Sequence, residues 1–151
     1  MGWFLVKIKT CYQNEQGKQT VSEESYLLDT ISYTEAEARA YEHFSKIHQE
    51  FQVSRIQPVI FQDIFQQDPG NPEGPWYKAK VHYILFDERT QKEKLVPYNF
   101  MVQAETLLEA HNHLDTVLGK MQDYTITSIA KTNIEEVLPY ESQLEETKET
   151  T

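Results

Sequence analysis

The sequence is poor in the residue types on which several kinds of chemistry depend. Of its 151 residues, one is cysteine (Cys11) and five are glycine. A single cysteine cannot form an internal disulfide, so nothing points to an oxidising compartment. The few glycines build neither a phosphate loop nor a dinucleotide fingerprint, and neither a serine elbow nor a Cys-x-x-Cys pair is present.

The sequence also lacks long apolar runs. No stretch of about 18 apolar residues occurs, so no membrane-spanning helix is predicted. The start, Met1 to Lys7, reaches a lysine too early for the apolar stretch of a signal peptide. We therefore expect a cytoplasmic protein that has no contact with a membrane.

Basic residues are scarce: 14 Lys and Arg stand against 24 Asp and Glu, and the formal net charge is −10. Phosphate recognition draws affinity from clustered cations that release counterions, so general nucleic-acid binding is disfavoured. An apolar fraction of 39%, with 12% aromatic residues, is large enough to form a hydrophobic core. A chain of this length suits one domain, or two small units that share a core.

What the sequence does contain is a pattern that occurs twice. Trp3 to Ile8 returns as Trp76 to Val81, Tyr26-Leu27-Leu28 as Tyr98-Asn99-Phe100, and Phe51 to Ile56 as Tyr124 to Ile129. The offsets are 76 − 3 = 73, 98 − 26 = 72 and 124 − 51 = 73 residues. A steady offset over three segments is typical of an internal duplication.

Hydrophobic periodicity predicts the elements of the first half. Apolar residues alternate along Trp3 to Tyr12, and a second strand, from about Thr20 to Thr30, follows a turn, which indicates an antiparallel hairpin. Thr34-Glu35-Ala36-Glu37 matches a capping box, and its helix is expected to run to about Gln49. A third extended segment starts at Phe51.

The second half predicts the same order, with a capping box at Thr106 to Glu109. A short docking segment closes each half, at Ile64-Phe65 and around Ile134 to Leu138. The capping boxes are 109 − 37 = 72 residues apart, whereas the helix cores align better at 114 − 40 = 74. The relative register of the two helices therefore stays open.

The predicted fold class is α+β, built from two tandem β-β-α-β repeats. Residues 1–65 form the first repeat, 66–75 a Pro/Gly linker, 76–140 the second repeat and 141–151 an acidic disordered tail. A three-stranded piece with one helix buries its apolar face poorly alone, so we expect the repeats to share one layered core around a pseudo-twofold axis. The pattern does not decide between one sheet and two.

Seven segments outside the linker and the tail carry a resemblance to known proteins: Trp3 to Lys9, Tyr26 to Arg39, Phe51 to Ile56, Trp76 to Lys80, Asp87 to Arg89 with Lys92 to Lys94, Met101 to Ala104, and Met121 to Tyr140. In these segments the sequence resembles a Bacteroidetes family of small cytoplasmic domains of unknown function. The resemblance implies a small bacterial cytoplasmic protein and supplies no catalytic residue.

No residue set in the sequence indicates catalysis. His111 and His113 are two residues apart on a predicted helix, where they point away from each other and cannot bind one metal ion. Cys11 has Ile84 as its counterpart (11 + 73 = 84), which favours a packed position over a nucleophile. We therefore predict no catalytic residue, no metal site and no cofactor, and an enzyme is disfavoured.

One surface supports a binding hypothesis. Cations and indoles recur on one face of the first strand in each half, and we call this set the lysine–tryptophan face: Trp3, Lys7, Lys9, Trp76, Lys80 and His82. Such a face can hold an anionic ligand or stack single-stranded bases beside phosphate contacts. The alternative is structural, with the lysines paired to the many glutamates and the tryptophans closing the core.

The function expected first is a non-catalytic binding or protein-interaction module. The alternatives are an anionic-ligand or single-stranded nucleic-acid binder that uses the Lys7/Lys80 face and, less favoured, a small enzyme with a site between the repeats. The partner is another protein or a second copy of the chain, because unpaired strand edges are expected.

Overall fold

A computed structural model describes residues 2–48, 50–68, 70–120 and 122–139. These residues form eight strands and two helices: β1 (Gly2–Gln13), β2 (Gln19–Thr30), α1 (Tyr33–Phe44), β3 (Phe51–Val59), β4 (Asp63–Phe65), β5 (Trp76–Asp87), β6 (Lys92–Gln103), α2 (Leu107–Leu118), β7 (Tyr124–Lys131) and β8 (Ile134–Leu138). The predicted α+β class is confirmed. The predicted tail, 141–151, lies outside the described residues. Neither of the two described helices has the length and apolar character needed to cross a membrane.

The strands form two sheets in two compact units. The first unit contains the residues up to Ile60 and those from Asn133 onward, and its sheet has the order β3-β1-β2-β8. The second unit is Phe61–Thr132, with the order β4-β6-β5-β7. Both sheets are built on the predicted antiparallel hairpins, β1–β2 and β5–β6.

The two docking segments pair with strands that are distant in sequence. β4 follows β3 along the chain, yet it pairs in parallel with β6, where Ile64 lies opposite Met101. β8 follows β7, yet it pairs in parallel with β2, where Val137 lies opposite Leu27. Each sheet thus has four strands, one more than each repeat was expected to have, and the segment 66–75 belongs to the second unit.

Each unit has a core cluster between its helix and one face of its sheet. In the first unit the strand alternation places Val6 and Ile8 on the helix side, where they pack with Phe44. In the second unit Ala79 and Val81 occupy the same side and pack with Leu114. The duplication, the pseudo-twofold axis and the sharing of one core by both repeats stay predictions from the sequence.

The predicted start of the first helix is wrong by one cap. The N-cap is Ser32, whose hydroxyl accepts a hydrogen bond from the backbone N–H of Glu35 (3.2 Å). Ser32 and Thr34 are each followed by a glutamate three residues later, so the sequence offers two overlapping capping boxes. The helix also ends at Phe44, earlier than the predicted end near Gln49.

The second helix begins at the predicted cap. The Thr106 hydroxyl accepts from the N–H of Glu109 (3.2 Å), and the helix stops before Gly119, whose φ of 69° favours glycine. The observed caps are 106 − 32 = 74 residues apart, which equals the offset of the helix cores. The choice of Thr34 was therefore the source of the register discrepancy.

One buried glutamine holds the Pro/Gly segment. The side-chain oxygen of Gln103 accepts hydrogen bonds from the N–H groups of Gln67 (2.9 Å) and Asp68 (3.2 Å). Its amide nitrogen donates to the carbonyl oxygens of Asn71 (3.0 Å) and Glu73 (2.6 Å). Gln103 is 5% exposed, so these partners take the place of water around its amide. The segment is a pinned loop of the second unit.

Candidate ligand-binding groove

The first-unit part of the lysine–tryptophan face is partly neutralised by an acidic neighbour. Trp3 is half-buried and Lys9 is exposed. The ammonium of Lys7, whose side chain is 27% exposed, lies 3.8 Å from a carboxylate oxygen of Glu23, and Glu23 is also in register with Lys9. Arg55 lies opposite Lys7 on β3 and adds a cation to this face. The charge available to an anion is therefore reduced here, but not cancelled.

In the second unit the tryptophan of this face is not on the surface. Trp76 is fully buried, and its indole N–H donates to the carbonyl oxygen of Pro72 (2.9 Å). An indole that is engaged in this way anchors the 66–75 loop to β5. It cannot offer its ring face to a base or another ligand.

The remaining second-unit members of this face keep their exposure or a polar partner. Lys80 is exposed and lies in register with the uncharged residues Asn99 and Ser128. His82 is half-buried, and its Nδ1 lies 2.5 Å from the hydroxyl oxygen of Thr127. Lys80 is thus the member of the set that is best placed to meet an anion.

Cys11 is exposed, whereas the sequence predicts a packed position. The physical reason is the unequal length of the strands: β3 pairs with β1 only as far as Thr10. Beyond that point the β1–β2 hairpin projects past its neighbour, and Tyr12 and Val21 are exposed there as well.

The second unit has a groove that the sequence does not indicate. It has a volume of about 430 Å³ and lies between the end of α2 and strands β4, β5 and β6. Ten residues line it: Gln62, Asp63, Phe65, Tyr83, Leu85, Tyr98, Phe100, Val117, Leu118 and Gln122.

Aromatic rings from three neighbouring strands form much of the groove wall. The rings of Phe65 and Phe100 stack, with centroids 5.5 Å apart and an interplanar angle of 16°. Tyr83 and Tyr98 meet edge to face at 5.1 Å. These are preferred geometries for aromatic pairs, so the wall is an ordered surface that presents ring faces and edges.

The identity of the last residue of each helix explains why space remains in the second unit. In the first unit the last helical residue is Phe44, which is fully buried and packs against Tyr26 (4.4 Å between ring centroids) and Phe51 (6.1 Å). In the second unit the last helical residue is the smaller Leu118, which is only half-buried. This Phe-to-Leu difference is the signal in the sequence that could have pointed to the groove.

The phenol groups in and beside the groove are neutral at physiological pH. Burial raises the pKa of Tyr83, and the nearby Tyr98 adds to this effect. The Tyr124 hydroxyl donates to the Asp115 carboxylate (2.6 Å), and this hydrogen bond is the main cause that raises the pKa of Tyr124 to about 12. Of the ten described lining residues, Asp63 alone carries a formal charge at neutral pH.

The histidines singled out in the sequence have separate neighbours. Nδ1 of His111 lies 3.5 Å from the Asp115 carboxylate, whereas Nδ1 of His113 lies 3.4 Å from the carbonyl oxygen of Gln103. Within the described ranges, no group of three or more His, Cys, Asp or Glu side chains is arranged to hold a metal ion.

Comparison with known proteins identifies the family. A sequence profile for a domain of unknown function (DUF4494) matches residues 2–140. Neither the curated proteins nor the solved structures contain a match to this chain. The resemblance to a family of unknown function is thereby confirmed, while bacterial origin and cytoplasmic location stay predictions. Because the match covers most of the 151 residues, the protein belongs to the DUF4494 family of domains of unknown function.

Proposed function

We propose that the protein is a non-catalytic binding module, bacterial and cytoplasmic, whose ligand site is the aromatic groove of the second unit. The observation that carries the proposal is the groove itself. Its volume of about 430 Å³ falls in the range of small-molecule sites. Its apolar walls combined with a few polar groups are also typical of such sites. The expected ligand is small and has a flat apolar body.

The chemistry of the lining supports binding rather than catalysis. Among the ten described lining residues there is one carboxylate, Asp63, and no histidine, cysteine, serine or lysine. General acid–base catalysis needs a group with a pKa matched to the reaction, and nucleophilic catalysis needs an activated nucleophile. The neutral phenols of Tyr83 and Tyr98 can donate a hydrogen bond to a ligand without taking part in a reaction.

The experiment fills the groove in the way that Phe44 fills the corresponding space of the first unit. Leu118→Phe places a ring at the end of α2, and Leu108→Phe is the control, because Leu108 lies on the same helix and is 70% exposed. Binding of 1-naphthalenemethanol, an uncharged aromatic probe, is followed by amide chemical shifts.

We expect the shifts to centre on β5, β6 and the end of α2. We expect Leu118→Phe to weaken binding by more than about tenfold, which corresponds to loss of about 1.4 kcal/mol of binding free energy, and Leu108→Phe to leave it unchanged. Circular dichroism checks that both variants fold. Equal affinity in the native protein and Leu118→Phe, or shifts centred elsewhere, would overturn the proposal.

Lys80 supports a second candidate, the binding of an anionic ligand or single-stranded nucleic acid. Lys80 and Lys78 are exposed on the same face of β5, and their cross-strand partners are uncharged. Such binding should weaken as salt rises. Binding of a short oligothymidylate that depends on salt and is lost in the double variant Lys7→Glu, Lys80→Glu would favour this candidate. Binding that is insensitive to salt would remove it.

Self-association through a sheet edge is a separate prediction. β3 and β7 are edge strands of their sheets. Pro58 interrupts the donor row of β3, whereas β7 has eight residues and no proline. We therefore propose β7 as the edge that a second copy would pair with. A single monomeric species in sedimentation equilibrium at millimolar concentration would exclude it.

A further inference from the structure

The carboxylate in the groove is free to meet a ligand. Oδ1 of Asp63 accepts a hydrogen bond from the N–H of Ile64 (2.8 Å), and among the described residues no bond is formed by Oδ2. Asp63 is the first residue of β4 and is exposed, so a ligand can reach it from solvent. A donor group on a ligand can therefore bind Oδ2 without displacing a protein contact.

The aromatic wall favours the same sign of charge as the carboxylate does. The face of an aromatic ring carries a negative electrostatic potential, which attracts cations and repels anions. Phe65, Phe100, Tyr83 and Tyr98 supply ring surface within the groove, and neutral phenols keep this property. A cation seated on the wall thus gains from the rings and from Asp63, whereas an anion is disfavoured by both.

The charges near the groove but outside its lining do not reverse this preference. Lys94 lies in register with Leu85, but it is exposed and is not one of the ten lining residues. Water and salt screen such a charge. Asp115 is held by the Tyr124 hydroxyl and adds a further negative charge near the end of α2.

From these contacts we infer that the groove binds a small organic cation: an aromatic or alkyl body that lies on the four rings and carries an ammonium group that faces Asp63. The inference rests on the proposed function and specifies the class of its ligand. Recognition of ammonium groups by aromatic side chains together with a carboxylate needs no conformational change of the wall.

The test compares three probes that share one ring system and differ in charge. They are 1-naphthylmethylammonium (positive), 1-naphthalenemethanol (neutral) and 1-naphthaleneacetate (negative), titrated into the full chain and followed by amide chemical shifts. We expect the cation to bind about fivefold or more tightly than the alcohol and the acetate to bind more weakly than both.

Two matched variants identify the source of the preference. Asp63→Asn keeps an acceptor for the Ile64 N–H but removes the charge, so the affinity for the cation should fall about fivefold, while the affinity for the alcohol stays the same. Lys94→Gln removes a nearby charge outside the lining and should leave the cation preference unchanged.

The outcomes separate this inference from the proposed function. If the alcohol binds and is displaced by Leu118→Phe, but the three probes bind equally or the preference survives in Asp63→Asn, the cation inference is wrong and the binding groove stands. If none of the three probes binds the native protein, both the inference and the proposed function are refuted.

Discussion

Replacement of Gln103 by leucine should destabilise the second unit by releasing the 66–75 loop. Leucine has a similar length, but it has no acceptor for the N–H groups of Gln67 and Asp68 and no donor for the carbonyls of Asn71 and Glu73. All four contacts are removed by one change of side chain.

The magnitude follows from what happens to the four partners. A hydrogen bond contributes a net of about 0.5–1.5 kcal/mol, so four contribute about 2–6 kcal/mol. The loop residues Gln67, Asp68 and Glu73 are exposed, so water can reach their backbone groups once the loop moves away. The expected loss is therefore at the low end, about 2–3 kcal/mol, or about 5–10 °C in Tm.

A companion variant gives the reasoning a pH signature. In Gln103→Glu a carboxylate replaces the amide nitrogen that faces the carbonyl oxygens of Asn71 and Glu73. This repulsion and burial raise the pKa of the new carboxyl in the folded state above its unfolded value. The added stability of the protonated form is then present below the unfolded pKa of about 4.3 and is lost as pH rises. Gln103→Glu should recover towards pH 4, whereas Gln103→Leu should not.

Urea unfolding followed by circular dichroism measures the loss, and amide hydrogen exchange at Gln67 and Asp68 reports the loop directly. The control is Gln66→Ala, which changes an exposed glutamine at the start of the same segment and should alter stability by less than about 0.5 kcal/mol. A loss of under about 0.5 kcal/mol for Gln103→Leu, with unchanged exchange at both amides, would refute the reasoning.

Three further predictions address other parts of the molecule. Burial, with smaller contributions from Lys46 and Arg39, lowers the pKa of His43, so the unfolded chain binds this proton more readily and stability should fall as pH drops below about 6.5; His43→Gln should reduce this slope in a series of urea midpoints, and an unchanged slope would count against it. Because the pKa of Tyr124 is raised to about 12, its hydrogen bond to Asp115 should add stability below pH ~10 that is lost towards about pH 12; Asp115→Asn should lower the midpoint of this phenol in a difference-absorbance titration, and an unshifted midpoint would contradict the assignment. A chain that ends at Thr132 lacks β8 and the buried Val137 and Leu138, so the first unit should unfold at lower urea than in a control chain that ends at Glu141; coincident transitions for the two chains would show that β8 adds nothing to that unit.

The hairpins could be predicted from the sequence because two local signals agree. Alternation along β1 selects the buried set that contains Val6 and Ile8, and a one-residue slip would expose both. Gly17, with a φ of 78°, supplies the turn between β1 and β2. The cap of α1 was missed because Ser32 and Thr34 satisfy the same local rule, and only packing of the helix on the sheet distinguishes them.

The candidate site and the pairing of the short strands could not be predicted for a different reason: they depend on tertiary structure. A three-residue strand such as β4 has no periodicity that selects its partner. Trp76 next to lysines suggests a surface residue, but its burial follows from the Pro72 carbonyl, which a loop brings to it. The groove exists because Leu118 leaves volume unfilled, and unfilled volume appears only once the surrounding side chains are packed.

The late position of β8 in the chain has a consequence for the order in which the protein acquires structure on the ribosome. The first unit begins at the N-terminus, but its sheet is completed by β8, which ends at Leu138. The second unit is one continuous stretch, Phe61–Thr132, and all four of its strands emerge before β8 does. Chains are made from the N-terminus, and domains made first generally fold first. Here the half that is translated first must wait, with one edge of β2 unpaired, until the half that is translated second has left the exit tunnel.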